Sequence, residues 1–249
     1  MRALAGAVGT NRVELIEELY RRYGKAQSGS LRYKISYLRK KYSWMFVVGS
    51  SNALKRILDV FVSALLLLLL SPLFLFVAVA IKLTDGGSIL FWQARVGQWG
   101  REFSFPKFRS MVVNAEYLKD ALLMRNDHGA SISFKMKRDP RITWIGRSTR
   151  KLSVDELPQL WCVLNGDMSL VGPRPPVPRE VARYSLLDRR RLDAKPGLTC
   201  IWQVSGRGDI PFDRQVELDV KYIESQSLAL DFILLLKTIP AIMTGRGAY

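Results

Sequence analysis

The side chains on which most metal and redox centres depend are nearly missing. The 249 residues hold two cysteines, Cys162 and Cys200, and one histidine, His128. No Cys-x-x-Cys pair and no Cys/His ligand spacing occurs, which argues against a zinc site, a haem attachment motif and a disulfide framework. Both cysteines sit among apolar residues and read as small buried hydrophobes. A GxxxxGK[ST] loop is lacking, so ordinary NTPase chemistry is not indicated. Internal repeats and low-complexity tracts are absent too. Acid is scarce relative to base: 22 Asp and Glu face 38 Lys and Arg, a formal net charge of +16. Such an excess calls for an anionic partner, whether nucleic acid, anionic lipid or a phosphorylated substrate.

Charge disappears altogether from residues 60–81, a run of 22 without Asp, Glu, Lys or Arg. About 20 apolar residues suffice to cross a bilayer core as a helix. The run starts too far into the chain, and is too long, for a secretory signal. Twelve of the 38 basic residues precede it and the other 26 follow it. Basic residues mark the cytoplasmic side of a membrane helix, so a simple span would place one block on the wrong side. Ser71-Pro72 lies near the centre of the run. Proline removes an N–H and clashes with the carbonyl four residues back, and a serine hydroxyl can serve a carbonyl so freed. Two readings fit: a kinked spanning helix, and two half-helices that enter one leaflet and return. At the mouth of the run, Arg56 and Asp59 are three apart and are expected to meet on one helix face.

Residues 11–26 read as a short amphipathic helix capped by Asn11. After the apolar run, turn signals at Asp85-Gly86-Gly87, Gly97 and Gly100 separate two short segments with the look of a β-hairpin. "NAEYLKDALLMRND" has helical spacing, with Asn114 as its cap. A basic helix precedes a second helix near Ser153, where Ser153 and Glu156 fit a capping box. Residues 211–226 read as helix. The apolar stretch from Leu228 is interrupted by Asp231 and Lys237, which suits an interfacial helix better than a span.

Three clusters carry the chemistry. "PKFRSMVVNAE" places Lys107 and Arg109 shortly before Glu116 at a helix start, where cations and free N–H groups favour phosphate. A carboxylate there is either a nucleophile or a plain partner of the helix dipole. "RSTRKLSVDELPQL" combines Arg147, Arg150 and Lys151 with Asp155 and Glu156, a mixture suited to a phosphate and a divalent cation, or to a solvated helix. "GDMSLVGPRPPVP" holds Arg174 between Pro173 and Pro175 in an extended backbone, a pre-organised guanidinium for phosphate or carboxylate.

Together "KRILD", the Pro-broken run, "KFRSM", "LSVDELPQLWCVLNGDMSLVGPRP" and "KPGLTCIWQVSGR" resemble the bacterial sugar transferase family, the monotopic polyprenyl-phosphate phosphoglycosyl transferases. The resemblance covers about residues 50–249 and looks closest to members that initiate exopolysaccharide repeat units. It implies transfer of a sugar-1-phosphate from a UDP-sugar, with UDP-galactose or UDP-glucose the expected donor, to undecaprenyl phosphate, with release of UMP. It further implies Mg²⁺, a carboxylate nucleophile with a phosphosugar-enzyme intermediate, and a re-entrant membrane helix on the cytoplasmic face of the inner membrane. The fold expected is α/β and helix-rich. Residues 1–50 would form a variable extension, 51–82 the re-entrant anchor, and 83–249 a cytoplasmic catalytic domain with a short β-hairpin and interfacial helices.

Residue by residue, Lys55, Arg56 and Asp59 match the anchor motif, and Ser71 and Pro72 the helix break. Arg109, Arg150 and Arg174 match arginines of the active site, and Asp155 and Glu156 the acidic pair of "DELPQ". The chain departs from the family after "KFRSM": Asn114-Ala115-Glu116 stands where members carry Asp-Glu or Asp-x-Glu. An amide is a poor nucleophile and no base. The roles expected are therefore Glu116 as nucleophile or metal-side carboxylate, Asn114 orienting a phosphate or water, and Asp155 supplying a second charge. Expected partners are UDP-sugar, undecaprenyl phosphate and inner-membrane lipid, with other polysaccharide-assembly enzymes and a second copy of the chain as candidates. Nucleic acid is disfavoured because the basic residues are dispersed. Asn114 also motivates the rival reading of a non-catalytic scaffold of the same pathway.

Overall fold

The computed structural model of the chain describes residues 31–115, 117–118, 139–245 and 247. The amphipathic segment at residues 11–26, Glu116 and most of the helix expected after it lie outside the described residues. The chain divides into two units, Met1–Asn52 and Ala53–Tyr249. In the first, residues 31–52 are helical throughout.

Helix α1 spans Leu31–Leu69 and α2 spans Ser71–Asp85. Among the described residues no single helix is long and apolar enough to cross a membrane, but Gly49–Leu69 and Ser71–Thr84 form a pair bent by 58°. The cause of the bend is local. Pro72 has no N–H to give the Leu68 carbonyl four residues back, and the Ser71 hydroxyl donates to that carbonyl instead, at 2.8 Å. Bonding resumes at once, with Phe74 N–H donating to the Leu70 carbonyl at 2.9 Å. Each half buries one stripe. Val62, Leu66 and Leu67 of α1 pack on the main core, built around Phe105, Leu160, Val163, Met168, Val171 and Tyr222. Val77 and Ile81 of α2 pack on Phe108 and Ile145. The outward stripes stay bare: Phe61, Leu65, Leu68 and Leu69 on α1, and Leu75, Phe76, Val79 and Leu83 on α2, are all exposed.

The expected hairpin is present. Strand β1, Leu90–Val96, pairs antiparallel with β2, Glu102–Phe108, with Phe91 opposite Lys107 and Gln93 opposite Phe105. The chain then forms α3, Trp144–Lys151, a 3₁₀ turn over Val154–Gln159, and α4, Leu160–Asn165. A second sheet, unforeseen, pairs β3, Ser169–Val171, parallel to a later strand, Gly197–Thr199. Between them lies α5, Pro178–Val181; the later strand is β4. Helices α6, Ile201–Ser205, α7, Phe212–Ser225, and α8, Leu228–Thr244, complete the unit. Helix-rich α/β organisation is thus observed.

Two local expectations fail, for related reasons. Arg56 and Asp59 do not pair with each other. Arg56 donates to the carbonyls of Val163 and Leu164 at the end of α4, at 2.6 and 2.8 Å. Asp59 accepts the Leu170 N–H of β3 at 3.0 Å. Lys55, on the same helix, donates to Asp231 of α8 at 2.5 Å and to the Val171 carbonyl at 3.1 Å, while Tyr222 Oη donates to Asp231 at 2.6 Å. The basic-acidic mouth of α1 is therefore a three-point clamp onto α4, β3 and α8. The Ser153–Glu156 capping box does not form either. Ser153 sits in the left-handed region, φ 55°, and makes no side-chain cap, whereas a capping serine needs extended backbone. Glu156 turns to Arg174 instead.

Candidate active site

The hairpin supplies the floor. Side chains alternate across a strand, so Arg95, Phe105 and Lys107 share one face. The buried Phe105 ring carries a cation on each side, Arg95 at 5.1 Å and Lys107 at 5.2 Å from its centroid. The Val154–Gln159 turn packs over this face and brings Glu156 to 3.9 Å from the Lys107 ammonium. The proline segment after β3 is stitched to the end of β1. Val96 N–H donates to the Pro176 carbonyl at 2.9 Å, and Arg95 donates to the Pro175 carbonyl at 2.8 Å. This fixes Arg174, whose guanidinium grips the Glu156 carboxylate with two parallel hydrogen bonds, Nη1 to Oε2 at 3.1 Å and Nη2 to Oε1. The extended, pre-organised Arg174 read from the proline spacing is what the structure holds, with a carboxylate already in its fork.

The charges tune one another. Burial pushes Glu156 up, but Arg174 and Lys107 outweigh it and hold the carboxyl well below the usual range. Asp155 beside it is buried and pushed up to about 6, by desolvation first and by the Glu156 charge second. Lys107 is brought down to about 7 by desolvation and by Arg95, with Glu156 opposing. Arg95 falls to about 10 through burial and the nearby Arg174. Arg150 of α3 and Arg174 both act on Asp155 through their charge. The cluster is thus over-supplied with cations and poor in anions, the electrostatic imprint of an anionic ligand.

Arg109 follows β2 directly. Its backbone N–H donates to the Ile89 carbonyl at 2.9 Å, and its side chain is buried. It lies over Gly87, where a Cβ would fall 1.8 Å from Nη1, so a larger residue there would have to displace the guanidinium. Asn114 is exposed in a turn, and its carbonyl accepts the Leu118 N–H at 3.2 Å, as expected at a helix start. Glu116 lies outside the described residues, but the segment leading to it is anchored. Val112 N–H donates to the Arg141 carbonyl at 2.9 Å, and Arg141 Nη1 donates to the Ala115 carbonyl at 3.1 Å. Arg141 is itself buried in an ion pair with Asp139 at 2.6 Å. Gly146 lets the start of α3 pack on the Ser110 backbone, since a Cβ there would meet the Ser110 carbonyl at 1.9 Å.

Of the residues singled out in the sequence, the structure brings together Lys107, Arg174, Asp155 and Glu156, with Arg150 close enough to act through its charge. Lys55, Arg56 and Asp59 belong to the clamp, and Ser71 and Pro72 to the bend. Arg95 and Arg141 escaped the sequence reading. The alternation Phe103, Phe105, Lys107 against Arg95 was the available signal for the first, and the "DPR" turn for the second. Among the described residues no three His, Cys, Asp or Glu side chains gather to hold a metal ion. Among the described residues of the cluster Asp155 has the right chemistry: a carboxylate whose proton affinity is raised by burial first and by Glu156 second, a charge that a divalent cation would restore.

The chain matches the family described as bacterial sugar transferase over residues 50–245. Galactosyl transferase CpsE of Streptococcus agalactiae is 46% identical over 208 residues, 83% of this chain and 46% of that protein. Exopolysaccharide production protein ExoY of Sinorhizobium fredii is 41% identical over 198 residues, 78% of this chain and 88% of that one. The undecaprenyl-phosphate galactose phosphotransferase of Salmonella typhimurium is 45% identical over 205 residues, 80% of this chain and 42% of that protein. The chain thus spans less than half the length of two of these relatives and most of the third. The matched segment begins ahead of Lys55, contains the clamp, the bend and the whole charge cluster, and ends just past α8: this chain belongs to the bacterial sugar transferase family.

Proposed function

We propose that the chain transfers a sugar-1-phosphate from a UDP-sugar to undecaprenyl phosphate, releasing UMP, as the first membrane step of exopolysaccharide repeat-unit synthesis. The observation that carries this reading is the cation-rich cluster of Lys107, Arg95, Arg150 and Arg174 around the Asp155-Glu156 pair, on a domain that shares its core with both halves of a bent apolar helix pair. A nucleotide-sugar diphosphate and a lipid phosphate are both anionic, and one of them is held in a bilayer. Galactose or glucose is the sugar expected: two of the relatives described above carry galactose in their names, and the undecaprenyl-phosphate glucose phosphotransferase of Komagataeibacter xylinus, 41% identical over 206 residues, carries glucose.

In this reading the Glu116 carboxylate attacks the sugar-linked phosphorus. The bond from that phosphorus to the bridging oxygen breaks, and UMP leaves with the electron pair. An oxygen of undecaprenyl phosphate then attacks the same phosphorus and frees the carboxylate. Arg174 and Lys107 stabilise charge that develops on the diphosphate oxygens. Asn114 orients a phosphate oxygen or water at the helix start, and Arg141 holds the Ala115 carbonyl just ahead of Glu116. Mg²⁺, held by Glu116 and Asp155, would supply Lewis acidity toward the leaving phosphate.

The bent pair is read as a re-entrant anchor on the cytoplasmic face of the inner membrane. The bare apolar stripes of α1 and α2 support it, because contiguous exposed apolar surface of this size marks a membrane or partner contact. So do the exposed Phe232, Leu236, Ile239 and Met243 of α8, which suit an interfacial helix. The test is product identity. Purified protein in nanodiscs receives Mg²⁺, undecaprenyl phosphate and a panel of UDP-sugars. UMP released with one sugar, and lost in E116Q, supports phosphosugar transfer. UDP release points to ordinary glycosyl transfer. Folded protein that releases neither from any donor fits the scaffold reading that Asn114 motivates.

A further inference from the structure

Beyond the residues already assigned, one arginine is held in an unusual way. Arg207 has φ 52°, in the left-handed region that non-glycine residues rarely enter. It stands between Gly206 and Gly208, in a short 3₁₀ turn over Arg207–Asp209 that follows α6. Glycine would occupy this backbone without strain, so an arginine here is tolerated for its side chain. The turn is braced by Gly247. Gly208 N–H donates to the Gly247 carbonyl at 3.2 Å. Gly247 packs so closely that a Cβ on it would lie 2.5 Å from the Gly206 carbonyl oxygen and 3.1 Å from the Arg207 Cβ.

The strands explain where this side chain is delivered. β3 and β4 run parallel, with Val171 opposite Thr199. Three residues past Val171 the chain presents Arg174; past Thr199 it forms α6 and then presents Arg207. The parallel strands finish at the same end of the sheet, and the two guanidinium groups come close enough to interact through their charge. Arg207 is half-buried and feels the charges of Glu156, Arg174 and Asp155. Burial brings it below its ordinary value; Glu156 pulls the other way, more strongly than Arg174 adds to the lowering. Glu156 is already held by the fork of Arg174, and among the described residues Arg207 makes no ion pair or side-chain hydrogen bond. Its guanidinium donors, delivered to the cluster at the cost of backbone strain, are therefore open to an anion that enters it.

We propose that Arg207 is a substrate-contacting residue of this site, donating hydrogen bonds to a phosphate group of the donor diphosphate or of the lipid phosphate, with the Gly247 segment holding it in place. This rests on the phosphosugar-transfer reading for the identity of the phosphate, but its test does not. The full chain in detergent is titrated with inorganic pyrophosphate by calorimetry, and its melting temperature is recorded, for wild type, R207K, R207G and R207N. Hydrogen bonds to charged groups set the expected loss at about tenfold or more in pyrophosphate affinity for R207G and R207N, with R207K between. Glycine relieves the backbone, so R207G is expected to melt at or above the wild-type temperature; asparagine, which tolerates this conformation, gives a second reading if glycine loosens the turn. A purely structural role would do the reverse, lowering the melting temperature and leaving affinity unchanged, and would overturn the inference. So would a wild type that does not bind pyrophosphate. Steady-state UMP release then names the source: KM rises in R207G for the UDP-sugar if Arg207 holds the donor, and for undecaprenyl phosphate if it holds the acceptor. Turnover by wild type with R207G unimpaired in kcat/KM for both substrates would sink this inference and leave the proposed function standing. Arg207-dependent pyrophosphate binding without UMP release would do the opposite.

Discussion

Lys107 is placed where its ammonium should lose its proton far earlier than an ordinary lysine, and the pH profile of the proposed transfer should show it. Burial against Phe105 and the charge of Arg95 bring it to about 7, against an ordinary value near 10.5. In the free protein at pH 8, only about one Lys107 in ten then carries its proton. If the charged form is what meets the diphosphate, kcat/KM for the UDP-sugar falls above pH 7, approaching tenfold per pH unit, because kcat/KM reports the unliganded protein. The same logic predicts proton uptake. A bound phosphate group adds negative charge beside the amine and raises its affinity for a proton, so UMP binding at pH 8 should take up close to one. The first effect is read from initial rates of UMP release at subsaturating donor between pH 6.5 and 9. The second is read by calorimetry in buffers of different ionisation enthalpy. K107R separates this lysine from every other group, since arginine stays charged throughout the range; its alkaline limb should vanish while its rate at pH 6.5 stays within reach of wild type. A flat wild-type profile, or a limb that persists in K107R, would refute the assignment of this titration to Lys107.

Three further outcomes follow from packing. Lys55 and Asp231 form a largely buried pair at 2.5 Å, and removing one partner strands the other, a loss of about 3–5 kcal/mol. K55M and D231N should each lower the melting temperature in detergent, with K55M/D231L recovering much of it; single variants that melt like wild type would contradict the clamp. P72A restores the N–H that Leu68 lacks and should straighten the 58° bend. If the bend sets the proposed re-entrant topology, thiol labelling of single cysteines placed in residues 31–52 should then change sides of inverted vesicles, and unchanged labelling would count against a proline-set topology. G146A places a methyl group 1.9 Å from the Ser110 carbonyl, so α3 must move away with Arg150. Activity should fall by more than the melting temperature suggests, and a fully active G146A would show that α3 need not dock there.

What could be read from the sequence, and what could not, divides along the reach of the interactions. The hairpin, the helix of residues 211–226 and the break at Ser71-Pro72 were legible because their causes lie within a few residues: glycine turns, a 3.6-residue apolar spacing, a missing N–H. The parallel pairing of β3 with β4 was not, because each strand has three residues and their partnership spans two intervening elements. The charged residues show the same division more sharply. Arg56 with Asp59, and Ser153 with Glu156, have the right spacing for local pairs, and neither pair forms. A local ion pair at a helix surface is worth only a few tenths of a kcal/mol, whereas Arg56 closes two orphan carbonyls at the end of α4, and Glu156 satisfies a guanidinium that the proline segment cannot move. A buried group takes the partner that fills its hydrogen-bonding capacity, and that partner is seldom its neighbour in sequence. The consequence reaches the chemistry. Because Glu156 is committed to Arg174, it is not the free carboxylate of the "DELPQ" pair; Asp155 is. Exchanging the two functions therefore cannot be neutral. E156Q should loosen Arg174 and weaken donor binding, whereas D155N should leave Arg174 in place and lower kcat.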